Sequence, residues 1–313
     1  MKLIIERGCN HLGIERGRNH LGMMGRVTMS RPDSAEIHPT AIISSEAVVE
    51  ENVRIGPYTI VEGPVTIGAG TVIGPHAHLI GPMRIGRNNQ IGTGCVLGGA
   101  PQHLGYRGEA TEIVIGDGNI FREHVTVHRA LPQGTGHGSG ITRIGHRNLF
   151  MVGCHVAHDC TIGDDCILAN GALLAGHVTL ADRVLISGNS AVHQYCQVGR
   201  LAMLSGVSAV SQDIPPFWVI QRHNEVCGVN VIGMRRAGLS TSDIQAVRRL
   251  FGLIYRQRLP LSVILQQNHQ LVENSSAVRE VLDFIRSSRR GIPGAHRYRG
   301  AVEANSDAPS SAA

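Results

Sequence analysis

From Ile37 to Val210 an apolar residue returns every sixth position, and this period constrains the fold more than any other feature of the chain. The series opens Ile37, Ile43, Val49, Ile55, Val61 and runs to Leu97. It resumes at Ile115, Phe121, Val127 and, after a second interruption, from Ile144 to Val210, giving 26 hexads. Glycine often follows the apolar residue, and a small residue stands four places on. Six is neither a helical period nor a plain two-residue alternation. It suits short strands joined by tight corners, with the apolar and the small residue both pointing inward. Cys95, Cys154, Cys160, Cys166 and Cys196 all occupy the small slot. We therefore read them as reduced core residues, not as a disulfide framework. Only eleven of the 313 residues are Phe, Tyr or Trp, so the core must be built in thin aliphatic layers.

The interruptions fix how many hexads close one coil. The first insert, His103–Val114, follows the eleventh hexad and the second, Gln133–Arg143, follows the fourteenth. Three hexads separate them, so with three per coil both loops leave the same corner, one coil apart; the 26 hexads then make about 8.7 coils. Loops projecting from a regular scaffold are where function concentrates.

The rest of the chain is organised differently. Residues 5–22 repeat one nonamer, IERGCNHLG and then IERGRNHLG, without apolar periodicity. We expect residues 1–28 to be a leader outside the native fold, with Met29 opening the β-helical part (29–213). Beyond Pro215-Pro216 we expect a helical domain over 214–290 and a disordered tail over 291–313. Ser240 with Asp243 can cap a helix carrying Ile244, Val247, Leu250, Phe251 and Ile254; further helices are expected over Leu261–Leu271 and Ser276–Arg289. Residues 214–300 hold 13 arginines against 5 acidic residues, whereas 29–213 hold 11 basic against 15 acidic residues. That asymmetry suggests an acidic partner for the helical part. Lys2 is the one lysine of the chain. No uncharged apolar run approaches the ~20 residues of a membrane helix, and the N-terminus lacks the apolar stretch of a secretory signal. A cytoplasmic protein is expected.

Numbering hexads modulo three stacks chemistry on one flank. The hexads VAHDCT, LAGHVT and VHQYCQ follow the two loops in register. Their third positions form a column of Arg129, His158, Gly176 and Gln194, and their fourth positions one of Asp159, His177 and Tyr195. His155 and His193 sit just before these columns. One histidine alone would be an ordinary surface residue; several in register beside two loops indicate a shared site. Imidazole at its ordinary pKa removes a proton from a hydroxyl near neutral pH. A glycine beside it leaves room, and its peptide N–H can face a developing oxyanion. This suits acyl transfer to an alcohol without cofactor, metal or covalent enzyme intermediate. Zinc on His155, His158 and His177 is the alternative. No GxSxG elbow or Walker loop competes.

The repeat resembles the hexapeptide-repeat acyltransferases, which implies a left-handed parallel β-helix. The stretches HVAHDCTIG (155–163), LAGHV (174–178), AVHQYC (191–196), SQDIPP and GVNVIGMRRAG (228–238) resemble one branch of that family. That branch is the acyl-carrier-protein-dependent UDP-N-acetylglucosamine 3-O-acyltransferases of lipid A biosynthesis. The resemblance spans Ile37 to Arg290. It implies transfer of a 3-hydroxyacyl chain from acyl carrier protein to the sugar 3-hydroxyl by a cytoplasmic homotrimer with sites between subunits. By the same resemblance His158 is the general base, Asp159 orients it and the Gly176 N–H receives the oxyanion. His155, His177, His193, Gln194 and Gln102 line the cleft, Asn230 and Arg236 contact substrate, and Met203 and Gly206 end the acyl pocket. Glycine at 206 implies a longer chain.

The first loop departs from the branch pattern PQDLKY, reading Pro101-Gln102-His103-Leu104-Gly105-Tyr106. The aspartate and lysine of the pattern are absent, which leaves open a shifted acceptor. UDP-amino-sugar N-acylation, a zinc hydratase and a non-catalytic trimeric scaffold are the other readings of the same prism.

Overall fold

The computed structural model describes residues 34–134 and 138–294; the doubled nonamer lies outside them. Twenty-six short strands run from Glu36–Ile37 to Ala209–Val210, and each carries one apolar residue of the hexad series. They form three parallel flanks in which Ile37 pairs with Ile55, Ile55 with Ile73 and Ile73 with Ile91. Neighbours in a sheet are thus three hexads apart, and three strands make one coil of a triangular prism. The architecture is the left-handed parallel β-helix with C-terminal helices. We call the sheet that contains Glu36–Ile37 flank I, that with Ile42–Ile43 flank II, and that with Val48–Val49 flank III.

The corners explain the hexad. At most corners the residue three places after the apolar one takes a left-handed conformation, with φ 61° at Asp159, 61° at His177 and 64° at Tyr195. That turn reverses the chain tightly and sends the next side chain inward, so the following slot accepts only something small. Cys154, Cys160, Cys166 and Cys196 fill it with no exposed surface. Burial pushes the Cys160 and Cys166 thiols up to about 12, which keeps them unreactive. In the same slot Asn89, Asn119 and Asn148 form an amide ladder: Asn119 Nδ2 donates to Asn89 Oδ1 and Asn148 Nδ2 to Asn119 Oδ1, each at 3.0 Å. Phe121 and Phe150 stack with centroids 4.7 Å apart, the aromatic step in an otherwise aliphatic column.

Pairing does not stop with the last hexad. Residues 214–230, expected among the helices, add the strand Trp218–Gln221 to flank I and fold back antiparallel through Glu225–Val229. Their reason is burial: Phe217, Trp218 and Ile220 close the open end of the prism with no exposed surface. Helix α1 (Val231–Arg236) follows, then α2 (Thr241–Phe251), α3 (Leu261–Gln267), α4 (His269–Glu273) and α5 (Ser276–Ser287). Ser240 caps α2, accepting from Asp243 N at 3.0 Å. The second expected helix is split at Asn268. Ile244, Val247, Leu250, Val278, Val281 and Leu282 form the buried stripe that joins α2 to α5. Among the described residues no helix is long and apolar enough to cross a membrane.

Candidate active site

Both loops leave flank II, after the strands Val96–Gly99 and Thr126–His128, which pair directly. Above them the strand His155–Val156 pairs with Thr126–His128, then Leu173–Leu174 and Ala191–Val192 follow in register. The two corner columns are therefore real: His177 N donates to His158 O at 3.0 Å, and Tyr195 N to Gly176 O at 3.1 Å.

His158 Nδ1 lies 2.7 Å from Asp159 Oδ2. An ionised carboxylate only accepts, so Nδ1 carries the proton and Nε2 holds the free lone pair. A Cβ on Gly176 would stand 2.7 Å from that Nε2 and 2.6 Å from Cε1, so no side chain fits there. Gly176 N–H makes no backbone hydrogen bond among the described residues, although its neighbours Ala175 N and His177 N both do. A base and an unused peptide donor thus share one small volume at the corner.

Asp159 is held on all sides although its side chain has no exposed surface. Oδ2 also accepts from Leu131 N at 2.9 Å, and Oδ1 accepts from Ser139 N at 2.6 Å and Ser139 Oγ at 2.7 Å. Burial alone would raise its pKa, but His158 and these loop donors hold it down at about 2. Its own N–H reaches Thr142 Oγ at 2.9 Å.

Rings extend outward from His158. His177 meets it edge-on at 5.1 Å and stacks at 4.4 Å on Tyr195, while His103 of the first loop meets it edge-on at 5.7 Å. His155, on the strand leading into His158, meets His128 of the coil below edge-on at 5.0 Å, with His155 Nδ1 2.8 Å from Thr126 Oγ of that coil. Burial, then the neighbouring His155 and His158, lower the His128 pKa to about 4. Burial and His158 lower that of His155 as well. Arg129 ties the first loop to the coil, donating to Gly81 O at 2.6 Å and to Tyr106 Oη at 3.3 Å. Of possible metal ligands, His158, Asp159 and His177 offer atoms within 4.8 Å of one another; His155, named in the zinc alternative, is not in that group. Asp159 Oδ2 and Oδ1 are already taken by four donors there.

The structure gathers His155, His158, Asp159, Gly176 and His177 on flank II. His193 and Gln194 stand one coil further on, exposed, with Arg290 Nη2 3.4 Å from His193 Nδ1. Gln102 is exposed on the first loop. The remaining expected contacts lie elsewhere in the chain. Met203 belongs to flank I, and Gly206 to the corner after it, where an added Cβ would meet nothing closer than Gly188 O at 3.7 Å. Asn230 caps α1: its Oδ1 accepts from Gly233 N at 2.8 Å and its Nδ2 donates to Leu201 O at 2.9 Å. Both ends of its side chain hold the start of α1 in place beside the Leu201 corner. Arg236 is exposed in the last turn of α1. Sequence reasoning missed Ser139, Leu131, Thr142 and His128, and read His103 only as a departure from the loop pattern. Each reaches the site through a loop or a neighbouring coil, a proximity that no local spacing encodes.

Comparison with known proteins agrees with this geometry. Residues 213–293 match the family model described as UDP N-acetylglucosamine O-acyltransferase, domain 2, and residues 46–81 and 141–176 match the bacterial transferase hexapeptide model. An acyl-(acyl-carrier-protein)–UDP-N-acetylglucosamine O-acyltransferase of Halorhodospira halophila is 44% identical over 82% of this chain and 98% of that protein. The structure of a UDP-N-acetylglucosamine O-acyltransferase from Moraxella catarrhalis superposes with TM-score 0.76 at 38% identity, covering 82% of this chain and 99% of the other. That of a UDP-N-acetylglucosamine acyltransferase from Francisella novicida gives 0.77 at 31% identity, covering 82% and 93%.

Proposed function

This chain belongs to the family of acyl-carrier-protein-dependent UDP-N-acetylglucosamine O-acyltransferases, and from that premise we propose that His158 is the general base of its reaction. The enzyme transfers an acyl chain from acyl carrier protein to a hydroxyl of UDP-N-acetylglucosamine in lipid A biosynthesis. The donor is a 3-hydroxyacyl thioester and the acceptor the sugar 3-hydroxyl. His158 Nε2 takes the hydroxyl proton as the oxygen attacks the thioester carbonyl. The C=O electron pair moves to oxygen, where the Gly176 N–H meets the charge. Collapse re-forms C=O, breaks the C–S bond and releases the carrier thiolate, which takes the proton back from His158. No covalent enzyme intermediate is needed. Asp159 stays ionised throughout, fixing the tautomer and stabilising the transient imidazolium.

The observation that carries this reading is the pairing of a Nδ1-tethered imidazole with an unused peptide N–H against its free edge. His155, His177, His193, Gln194 and Gln102 line the sugar side. Incubating the protein with 3-hydroxyacyl carrier protein and a panel of UDP-sugars tests the function. Acyl transfer to UDP-N-acetylglucosamine is expected, and no transfer to any acceptor would refute it.

The active form is a homotrimer. Outward positions of flank III are mostly polar, Thr66, Arg84, Arg143, Thr161, Thr179 and Gln197, with Val48 and Val114 the apolar members of the column. Flank I turns out Val72, Ile120, Leu149, Ile167 and Leu185 beyond Glu36, Arg54 and Gln90, and flank II turns out Ile42, Ile60, Val96 and Leu173 beside His78, Thr126 and His155. Two apolar flanks on one prism are satisfied when flank I of each copy meets flank II of the next and the ring closes. That arrangement also brings Met203 and Gly206 of one copy toward His158 of another, which a single chain keeps on separate flanks. Arg236 then serves the phosphate side of the shared cleft. The arginine-rich helical segment suits docking of the acidic carrier protein. We assign the reaction to the cytoplasm, consistent with reduced, buried cysteines throughout the prism.

A further inference from the structure

We propose that Ser139 is a positioning residue for acyl transfer, holding the Asp159 carboxylate in the orientation that fixes the His158 tautomer. The inference rests on the reading of His158 as the base. Asp159 divides its two oxygens between two tasks. Oδ2 faces His158 Nδ1 at 2.7 Å and Leu131 N at 2.9 Å, while Oδ1 faces Ser139 alone, through N at 2.6 Å and Oγ at 2.7 Å. The carboxylate torsion of aspartate is broad and nearly two-fold, so by itself it does not choose an orientation. The Asp159 side chain has no exposed surface, so its donors in the folded chain are protein groups. Ser139 therefore decides which edge of the carboxylate is presented to the imidazole.

The loop is built to deliver this serine. Gly140 N donates to Leu131 O at 2.9 Å and draws the two arms of the loop together at its neck. Gly138, on one side of Ser139, has no room for a Cβ, which would run into the carbonyl oxygens of Leu131 and Pro132; Gly140, on the other, has φ 79°. The Gly-Ser-Gly sequence thus threads a short hydroxyl between two positions where side chains do not fit. Ser139 Oγ also stands 2.9 Å from Ile141 O. A hydroxyl has one hydrogen, and the ionised carboxylate is the stronger acceptor for it. Asp159 thereby latches the second loop against the coil, and the loop in turn latches the catalytic pair.

Ser139 touches neither acceptor nor donor, so its removal should act on turnover and not on binding. In the full-length enzyme, Ser139→Ala is expected to lower kcat about tenfold, the scale of one hydrogen bond to a charged group. KM for both substrates should stay within about twofold. Ser139→Thr, which keeps the hydroxyl, should restore turnover. In an Asp159→Asn background, Ser139→Ala should cost little further. Wild-type kcat in Ser139→Ala, a defect that Thr does not rescue, or the same tenfold loss on top of Asp159→Asn would each overturn the proposal. A His158→Ala enzyme with full turnover would instead remove the general-base reading. An inactive His158→Ala beside a normal Ser139→Ala removes the present inference alone.

Discussion

Gly176 lies so close to His158 that a methyl group on its α-carbon would stand 2.7 Å from Nε2, the nitrogen that must be free to accept the substrate proton. The absence of a side chain at 176 is therefore part of the chemistry and not a packing accident. Gly176→Ala should leave the prism folded, because the inward slot that follows, Val178, is unchanged. It should displace the imidazole and block the peptide N–H, lowering kcat by about 10²–10³-fold, the cost of losing an oxyanion donor. Steady-state kinetics beside circular dichroism of the variant makes the comparison; wild-type turnover would show that the contact is incidental.

Asp159 should report its environment in acid. Its pKa in the folded chain is about 2, below the ordinary aspartate value, so it contributes stability that is present above pH ~4 and lost as pH falls toward 2. The shift corresponds to about 2 kcal/mol. Denaturant titrations from pH 5 to 2 should give a slope that Asp159→Asn lacks; an unchanged slope in the variant would contradict the assignment.

His128 should act at milder pH. Its folded pKa of about 4 lies below the ordinary imidazole value, so the unfolded chain binds the extra proton first. Stability is then full above pH ~6.5 and declines as pH falls toward 4, by about 1 kcal/mol after solvent screening of a half-buried ring. His128→Gln should flatten melting temperature against pH across that window. A wild-type-like decline in the variant would place the effect on other groups.

Much of this was legible in the sequence. The six-residue period and the three-hexad gap between inserts imply the prism, the flank and the register of His158, Gly176 and Gln194. The small slot identified the cysteines as core. What local pattern does not carry is contact made by loops: Ser139 and Leu131 reach Asp159 across 20 and 28 residues of chain. The Trp218–Gln221 and Glu225–Val229 hairpin was also hidden, because it pairs with flank I after the hexad rhythm has ended. The family motif names Asn230 without showing that its amide also caps a helix.

Assembly has its own test in the contrast between flanks. Ile167 on flank I is 37% exposed in the single chain, whereas the exposed residue Thr161 on flank III stands in a mostly polar column. Sedimentation should give three times the 33.5 kDa chain mass. Ile167→Asp should lower that mass and abolish turnover, while Thr161→Asp should change neither; a monomeric, active wild type would refute the shared site.

The central claim is that His158 removes the acceptor proton, and turnover of His158→Ala with 3-hydroxyacyl carrier protein and UDP-N-acetylglucosamine addresses it most directly. Loss of a positioned general base should lower kcat by about 10²–10⁴-fold while the variant keeps the wild-type melting profile and assembly. Turnover within a few-fold of wild type in a folded His158→Ala enzyme would contradict the mechanism.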